Sequence, residues 1–161
     1  MAITRAKKEE ILSKLENIKS TADSIVFVNF KGLGVTDSNA MRATLKERGV
    51  GYFVAKKTLM QRTFGEAFEG EMPVLDGEIA VAYSTDAIAP AQGIKEFAGK
   101  YTEQLAIVGG IFQGVFKNRE EMTEIASIPP LQTLRGMFVN VINSPIQGVV
   151  IALNQIADKR A

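Results

Sequence analysis

The residues with the clearest capacity for chemistry are basic side chains in the first third of the chain. Arg42 and Lys46 stand four positions apart, so a helix would present both on one face, where like charges repel. A bound anion would relieve that repulsion. Lys31 and Gly32 follow a predicted strand, and a glycine lets the backbone approach a phosphate closely. These spacings indicate a surface for the phosphates of a polyanion.

A second basic group opens a short predicted helix. Lys56, Lys57 and Thr58 lie at its start, where backbone amides favour an anion, and Arg62 lies further along it. The sequence contains no glycine-rich phosphate loop of the Walker or dinucleotide type and no evident aromatic platform for stacking bases. The pattern therefore favours recognition of folded RNA through its backbone and shape. The candidate RNA-binding residues are Arg5, Lys7, Lys8, Lys31, Gly32, Arg42, Lys46, Lys56, Lys57, Thr58 and Arg62.

The distribution of charge along the chain is consistent with this location. The whole chain of 161 residues has a formal net charge of +1. Residues 1–62 contain 12 Lys and Arg against 6 Asp and Glu, whereas residues 63–128 contain 4 against 11 and residues 129–161 contain 3 against 1. A basic first third is typical of a chain with a polyanionic partner. Charge by itself is equally consistent with chance variation among solvated faces.

Side chains suited to catalysis and metal binding are scarce. The sequence has no histidine, cysteine or tryptophan, which excludes disulfides, cysteine nucleophiles and the commonest general base. Asp76, Glu78 and Asp86 remain as candidates for a metal site, but they flank a predicted strand in an acidic region, where solvated charge is the simpler account. We therefore predict no catalytic residue, no metal and no cofactor. A small metal-dependent α/β enzyme is the alternative.

Helices and strands are predicted to alternate through the first 127 residues. Helical periodicity covers residues 4–22, 36–48, 56–64, 87–100 and 118–127. Runs rich in β-branched and aromatic residues predict strands at 24–30, 51–55, 79–83, 105–108 and 111–116. The expected fold is a layered α/β (α+β) domain over residues 1–127 with a mixed or antiparallel sheet.

Turn and capping residues refine these elements. Gly109-Gly110 is predicted to be the turn of a hairpin. Thr36 and Asp86 are predicted to begin helices, and Asn118 is predicted to form a capping box with the residue three positions on.

Residues 128–161 do not continue the alternation. Pro129 and Pro130 mark a boundary, and apolar residues from Leu131 onward cover more than half of a helix circumference. A helix of roughly 30 residues would be about 45 Å long, so we expect it to project from the domain and to be kinked at Pro145. The predicted partner-binding residues form two clusters, one of Leu134, Met137, Phe138, Val141 and Ile142, and one of Ile146, Val149, Val150, Leu153 and Ile156.

Two other interpretations of this segment stay open. In one the helix folds back and completes the core, and in the other it anchors a peripheral membrane protein. Polar residues such as Asn140 and Asn143 interrupt the apolar stretch, so we predict a poor membrane span. Its polar face also lacks the lysines typical of an interfacial helix. The N-terminus lacks the apolar region of a signal peptide, so we expect a cytoplasmic protein with no membrane partner.

Several motifs, in this order, resemble those of a known family. They are Phe30-Lys-Gly-Leu-Gly-Val35, Met41-Arg-Ala-Thr-Leu-Lys-Glu-Arg-Gly49, Val54-Ala-Lys-Lys-Thr-Leu-Met-Gln-Arg62, Gly77-Glu-Ile-Ala-Val-Ala-Tyr-Ser84 and Ile125-Ala-Ser-Ile-Pro129, followed by the apolar tail. From about residue 4 to residue 158 the chain resembles the bacterial large-subunit ribosomal stalk-base proteins, the scaffold of the flexible ribosomal stalk.

The resemblance implies a structural ribosomal protein located on the cytoplasmic ribosome. In this family the N-terminal domain binds large-subunit ribosomal RNA at the stalk base, and a second ribosomal protein shares that RNA site. The long C-terminal helix carries dimers of the acidic stalk protein, which recruit translational GTPases. Lys57 stands where the family usually has Asn, so this chain lacks that amide and offers additional positive charge. We expect two stalk dimers, one for each apolar cluster.

Overall fold

The computed structural model describes residues 5–65, 67–101, 104–129 and 131–160. Within these ranges the chain forms six helices and five strands. Their bounds are α1 (Arg5–Thr21), β1 (Ser24–Asn29), α2 (Val35–Glu47), β2 (Gly51–Val54), α3 (Lys57–Phe64), β3 (Ile79–Ser84), α4 (Ala89–Lys100), β4 (Ala106–Phe112), β5 (Val115–Asn118), α5 (Arg119–Ser127) and α6 (Leu131–Arg160). The chain divides into two compact units, Met1–Ile128 and Pro129–Ala161.

The first unit is built around a five-stranded antiparallel sheet. Its strand order is β2-β3-β1-β4-β5, so β1 lies in the centre and β2 and β5 lie at the edges. Every pairing is antiparallel, with Val26 of β1 opposite Ala82 of β3 on one side and Gly110 of β4 on the other. The predicted layered α/β fold is confirmed, as is the long C-terminal helix, and of the two predicted sheet types, mixed or antiparallel, the sheet is antiparallel.

Strand β1 is buried on both of its faces. Successive side chains on a strand point to opposite sides of the sheet. Val26 and Val28 accordingly pack in a cluster with residues of α2, α4 and α5. Ile25 and Phe27 pack in a second cluster with residues of α1 and α3. The first unit therefore has three layers, with helices covering both faces of the sheet.

The hairpin between β4 and β5 turns at Gln113 and Gly114, so the predicted turn at Gly109-Gly110 is wrong. Strand β4 runs without interruption through both of those glycines. Gln113 and Gly114 have φ values of 50° and 83°. Two consecutive residues with positive φ are what a two-residue hairpin turn of type I′ requires.

Close packing explains a glycine inside β4. A Cβ at Gly110 would lie 2.5 Å from the carbonyl oxygen of Ile25 on the neighbouring strand and 2.9 Å from Cε of Met122 on α5. Glycine in a strand interior often marks such a close approach of another backbone. Gly110 therefore serves the contact between the sheet and α5 rather than a turn, and a Cβ at Gly109 would instead meet Pro73 and the carbonyl oxygen of Lys117.

The helix starts follow the sequence to within two residues. Helix α2 begins one residue earlier than predicted, so Thr36 lies inside its first turn. Helix α4 begins after Ile88, and the Asp86 carboxylate accepts the Ile88 N–H at 3.1 Å just before the helix. The predicted capping box of α5 is confirmed, since the backbone N–H of Asn118 donates to the Glu121 carboxylate at 3.0 Å.

The second unit consists of the 30-residue helix α6, which is continuous across Pro145. At the usual rise per residue its length is about 45 Å. Proline lacks the N–H that would bond to the carbonyl four residues earlier. This missing bond is the physical reason for the kink predicted at Pro145, which stays a prediction.

We predict that Gly110→Ala destabilises the first unit by about 1–3 kcal/mol, because the new methyl group would displace β1 or α5. Denaturant titration of the purified chain measures the change. Gly99→Ala is the matched control, since a Cβ at this exposed helical glycine meets nothing within 4 Å and should leave stability unchanged or slightly raised. Equal stability of the two variants would contradict the close approach.

Candidate nucleic-acid interface and partner-binding helix

A surface groove of about 410 Å³ joins the end of β1, the start of α3 and the segment before β3. It brings together three candidate RNA-binding residues, Lys56, Lys57 and Thr58. Phe30, the residue before Lys31, also lines it. The acidic residue Glu78 also lines the groove, so the groove is not uniformly basic. The complete lining is Phe30, Val54, Ala55, Lys56, Lys57, Thr58, Gly77, Glu78 and Ile79.

The start of α3 is open to an external acceptor. Lys56 is the N-cap residue, with extended backbone (φ −69°, ψ 137°), and no side chain caps the helix. The first backbone N–H groups of a helix have no partner within the helix and carry partial positive charge. They lie beside the ammonium groups of the exposed Lys56 and the half-buried Lys57. This arrangement suits a phosphate oxygen.

The loop carrying Lys31 is held by the side chain of Asn29, which was not among the residues predicted from the sequence. The Asn29 side-chain amide accepts the backbone N–H of Lys31 at 3.1 Å and donates to the carbonyl oxygen of Asp76 at 2.9 Å. The backbone N–H of Phe30 donates to the carbonyl oxygen of Glu78 at 3.1 Å. An Asn two positions before the residue it holds is a recognisable turn signal. These bonds fix Lys31 next to the groove.

Arg42 lies over an aromatic ring. Its guanidinium carbon is 5.3 Å from the ring centroid of Tyr52 on β2, a distance typical of a cation–π contact. Burial raises the pKa of the Tyr52 hydroxyl to about 12, and the nearby Arg42 opposes that rise. The sequence indicates no stacking platform, and only the structure places Tyr52 beneath Arg42. Lys46 is exposed one turn further along α2.

The two helices with most of the candidate residues lie on opposite faces of the sheet. Met41 and Leu45 of α2 belong to one apolar cluster, and Met60 and Phe64 of α3 belong to the other. Strand β2 connects α2 to α3 and is an edge strand. The candidate residues therefore do not form one flat patch. They flank the β2 edge, and the name β2-edge surface is used below for Lys31, Arg42, Lys46, Lys56, Lys57, Thr58 and Arg62.

Three further candidates lie on α1, which packs beside α3. Lys7 and Lys8 are exposed there. The side chain of Arg5 lies outside the described residues, so its predicted role stays a prediction. Gly32 has a φ of 78°, a conformation that glycine adopts without strain.

Much of the positive charge of the β2-edge surface is not neutralised by the protein. Within the described ranges, no carboxylate forms an ion pair with Lys31, Lys56 or Lys57, nor with the other basic residues of this surface. Arg48 differs, because its guanidinium lies 2.6 Å from the Glu96 carboxylate. Unpaired charges of one sign along one edge of a sheet favour a polyanionic ligand.

Polar contacts fix α2 against α4. The Tyr101 hydroxyl donates to the Asp37 carboxylate at 3.0 Å near the start of α2, and the Arg48–Glu96 ion pair lies at its end. The hydrogen bond to Asp37 raises the pKa of Tyr101. These contacts hold the orientation in which α2 presents Arg42.

The acidic residues considered for a metal site do not converge. Among the residues that the structure describes, no group of three His, Cys, Asp or Glu side chains is placed to hold a metal ion. The Asp86 carboxylate accepts a backbone N–H of its own turn. Asp76 accepts the Asn29 amide through its backbone carbonyl rather than its carboxylate.

Helix α6 exposes its large apolar side chains. The ten predicted partner-binding residues have exposed fractions between 39% for Leu134 and 68% for Val141. Val139 and Ile151, which were not in the predicted clusters, are exposed as well. Contiguous apolar surface of this kind marks an interaction site.

The same helix is long and apolar enough to cross a membrane when only length and composition are considered. The qualifying stretch is Gln132–Ile156, 25 residues, and none of its qualifying window is buried. The prediction of a poor membrane span therefore does not follow from length and hydropathy. A helix that binds an apolar protein surface satisfies the same two criteria.

Comparison with known proteins identifies the chain. Residues 3–99 match the family model described as ribosomal protein L10. The chain is 34% identical over 154 residues to large ribosomal subunit protein uL10 of Bacillus licheniformis, covering 94% of this chain and 90% of that protein. It is 32% identical over 154 residues to large ribosomal subunit protein uL10 of Pelotomaculum thermopropionicum, covering 95% and 87%.

These relatives are structural proteins of the ribosome, and the chain accordingly falls in the class of structural ribosomal proteins rather than enzymes. The chain belongs to the ribosomal protein L10 family. It is a component of the large subunit of the cytoplasmic ribosome. The predicted family resemblance, the absence of enzymatic function and the location are thus confirmed.

We predict that Tyr101→Phe loosens the start of α2, because the bond to the Asp37 carboxylate is lost. Hydrogen exchange of the first turn of α2 should become faster. High pH should have the same effect on the wild type. Because the pKa of Tyr101 is raised above its ordinary value of 10.0, this contribution to stability is fully present below pH 10. It is lost as the pH rises through the higher pKa that Tyr101 has in the folded protein.

Tyr83→Phe serves as the control, since the Tyr83 hydroxyl makes no hydrogen bond to any residue that the structure describes. Its exchange rates in α2 should match those of the wild type. Unchanged hydrogen exchange in the Tyr101→Phe variant would show that the hydrogen bond between Tyr101 and Asp37 does not stabilise the start of α2.

Proposed function

We propose that the first unit binds large-subunit ribosomal RNA at the stalk base, and that α6 anchors dimers of the acidic stalk protein. The observation that carries this proposal is the presence of two unlike surfaces in one member of the L10 family. One is the unpaired basic β2-edge surface, and the other is the exposed apolar helix. Domain 1–127 and helical segment 128–161 would then perform separate tasks.

The chemistry of the β2-edge surface favours the RNA backbone over the bases. Ammonium groups and the open amides of α3 suit phosphate oxygens. The guanidinium carbon of Arg42 lies 5.3 Å from the ring centroid of Tyr52, and a guanidinium so placed would be able to donate two hydrogen bonds to one phosphate. Basic residues on both sides of an edge strand suit a folded RNA whose phosphates approach from more than one direction.

The energetics of α6 favour a protein partner. If a partner removed about 500 Å² of apolar surface from each half of the helix, the gross gain would be roughly 12 kcal/mol per half before the costs of association. Such a gain exceeds the lower estimates of the association cost, about 4 kcal/mol, and would then anchor one dimer on each half. Two dimers are therefore the proposed stoichiometry.

Family resemblance supplies the remaining partners. A neighbouring ribosomal protein would share the RNA site, and translational GTPases would be recruited indirectly through the stalk dimers. Lys57 would contribute charge rather than the amide hydrogen bond that Asn makes possible in other family members.

We predict that the double variant Arg42→Glu and Lys56→Glu weakens RNA binding at least tenfold without unfolding the domain. Both side chains are exposed, so the fold should tolerate the change. Fluorescence anisotropy with a stalk-base RNA fragment at several salt concentrations measures the effect. The slope of log affinity against log salt should decrease by roughly one to two.

Lys100→Glu combined with Arg119→Glu is the control with the same change in net charge. Both residues are exposed and lie outside the β2-edge surface. This variant should retain RNA affinity and the wild-type salt slope. An equal loss of affinity in the two double variants would mean that net charge rather than this surface binds RNA.

We predict that truncation after Ser127 leaves RNA affinity nearly intact and abolishes binding of stalk dimers, because the apolar clusters lie beyond that residue. Native mass spectrometry of the intact chain with the acidic stalk protein should show two dimers, and the truncated chain should show none.

Loss of RNA binding in the truncated chain would contradict the division into two functional parts, and one or three bound dimers would contradict the stoichiometry. A membrane anchor makes a different prediction, namely that the intact chain floats with lipid vesicles in the presence of stalk dimers. We expect it to remain in the soluble fraction.

A further inference from the structure

A second cavity, of about 270 Å³, opens between helix α1 and strands β2 and β3. Its least exposed lining residues are the buried Ile18 and the half-buried Phe53 and Tyr83. Three exposed polar side chains complete the lining, and they are Lys14, Asn17 and Thr21. An apolar lining with a few polar groups that can orient a ligand is the usual composition of a small-ligand pocket. The name aromatic pocket is used below for this cavity.

The ring of Tyr83 is positioned by a glycine on the neighbouring strand. Gly51 of β2 lies opposite Tyr83 of β3 in the sheet. A Cβ at Gly51 would lie 2.6 and 2.7 Å from the ring atoms Cε2 and Cε1 of Tyr83. The two nearly equal distances mean that the glycine backbone lies against one face of the ring. A glycine inside an edge strand thus has a reason in the close approach of the ring that lines the pocket.

The binding groups of the aromatic pocket are not occupied by the described part of the chain. The aromatic pairs there involve Phe27, Phe64, Phe68 and Phe116, and neither ring of the pocket takes part in one. The side chains of Asn17, Thr21 and Tyr83 form no hydrogen bond with any described residue. The pocket therefore offers two rings together with an amide and two hydroxyl groups.

The aromatic pocket does not suit a phosphate. The cation in its lining, Lys14, is paired with the Glu10 carboxylate at 2.6 Å. Its other lining groups are uncharged at neutral pH, in contrast to the groove at the start of α3 with its unpaired lysines. An uncharged, flat group with hydrogen-bonding edges matches this lining better than an anion does.

We propose that the aromatic pocket receives one unstacked base of the bound RNA, which stacks on the rings of Phe53 and Tyr83 and bonds to the polar side chains at its edge. This inference rests on the proposed RNA-binding function and adds a base contact to its phosphate contacts. Proteins recognise unpaired RNA bases by such stacking, and an asparagine amide can donate to and accept from a base edge.

The position of the aromatic pocket supports an RNA base as its occupant. Phe53 directly follows Tyr52, which lies beneath Arg42 of the β2-edge surface. Helix α1, which supplies the polar side chains of the pocket, packs beside α3, whose first residue is Lys57. An RNA whose phosphates contact the β2-edge surface would therefore pass next to the pocket.

The test is binding of a stalk-base RNA fragment by the intact chain, measured by fluorescence anisotropy at several salt concentrations. Tyr83→Leu should weaken binding by at least about fivefold, because a stacked base is lost. The slope of log affinity against log salt should not change, since no charge is removed. Tyr83→Phe keeps the ring and should bind within about twofold of the wild type. Ultraviolet irradiation of the wild-type complex should cross-link the RNA to Phe53 or Tyr83, which mass spectrometry of the peptides identifies.

Phe97→Leu is the matched control. It removes a half-buried ring from α4, which packs on the other face of the sheet, and should leave RNA affinity unchanged. Phe53→Leu provides a second test of the pocket if Tyr83→Leu does not fold, and it should also weaken binding at an unchanged salt slope.

Three results would overturn the inference. Wild-type affinity in both pocket variants would do so and leave the proposed function intact, and this is the result expected if the pocket instead received an apolar side chain of a neighbouring protein. An equal loss of affinity in Phe97→Leu would mean that packing of the domain, rather than a base contact, is responsible. Failure of the wild-type chain to bind the RNA would refute the proposed RNA-binding function and this inference together.

Discussion

Strand β1 is apolar on both faces, and the first unit must therefore cover both sides of its sheet with helices. The chain satisfies this constraint by sending α2 to one face and α3 to the other, with β2 between them at the edge. Arg42 and Lys56 are separated by the sheet for the same reason. The requirement to bury Val26 and Phe27 thus decides that the basic residues flank an edge.

The basic residues of the first unit differ in whether the protein itself neutralises their charge. Arg48 pairs with Glu96 and helps to hold α2 against α4. Arg42 lies six residues before Arg48, where its guanidinium lies over the ring of Tyr52 and forms no ion pair with any residue that the structure describes. Of these two arginines, Arg48 therefore contributes to stability, and Arg42 is left for the RNA contact that we propose.

Helix α6 follows a different physical rule from the rest of the chain. The helices of the first unit bury one stripe and leave a polar face to solvent. Helix α6 instead leaves apolar residues such as Phe138 and Val150 exposed and places glycine where alanine would give a more stable helix. In the function that we propose, a protein partner covers these exposed apolar residues.

Local physical chemistry let the sequence determine the helices of the first unit and strands β1, β2 and β3 to within about two residues, the capping box at Asn118, and the helical character of α6. Strands β4 and β5 were misplaced by four residues at the ends that face their turn. It also placed Lys56 and Lys57 at the start of a helix, which the structure confirms, whereas their role in binding RNA stays a prediction. The prediction of a turn at Gly109-Gly110 was wrong because Gly110 is needed for the close approach of Ile25, a residue that is distant in sequence. Three features were decided only by the tertiary structure: the contact of Gly110 with Ile25, the position of Tyr52 beneath Arg42, and the arrangement of basic residues around the β2 edge. Each of them depends on the order of the strands and on the face of the sheet that a helix covers.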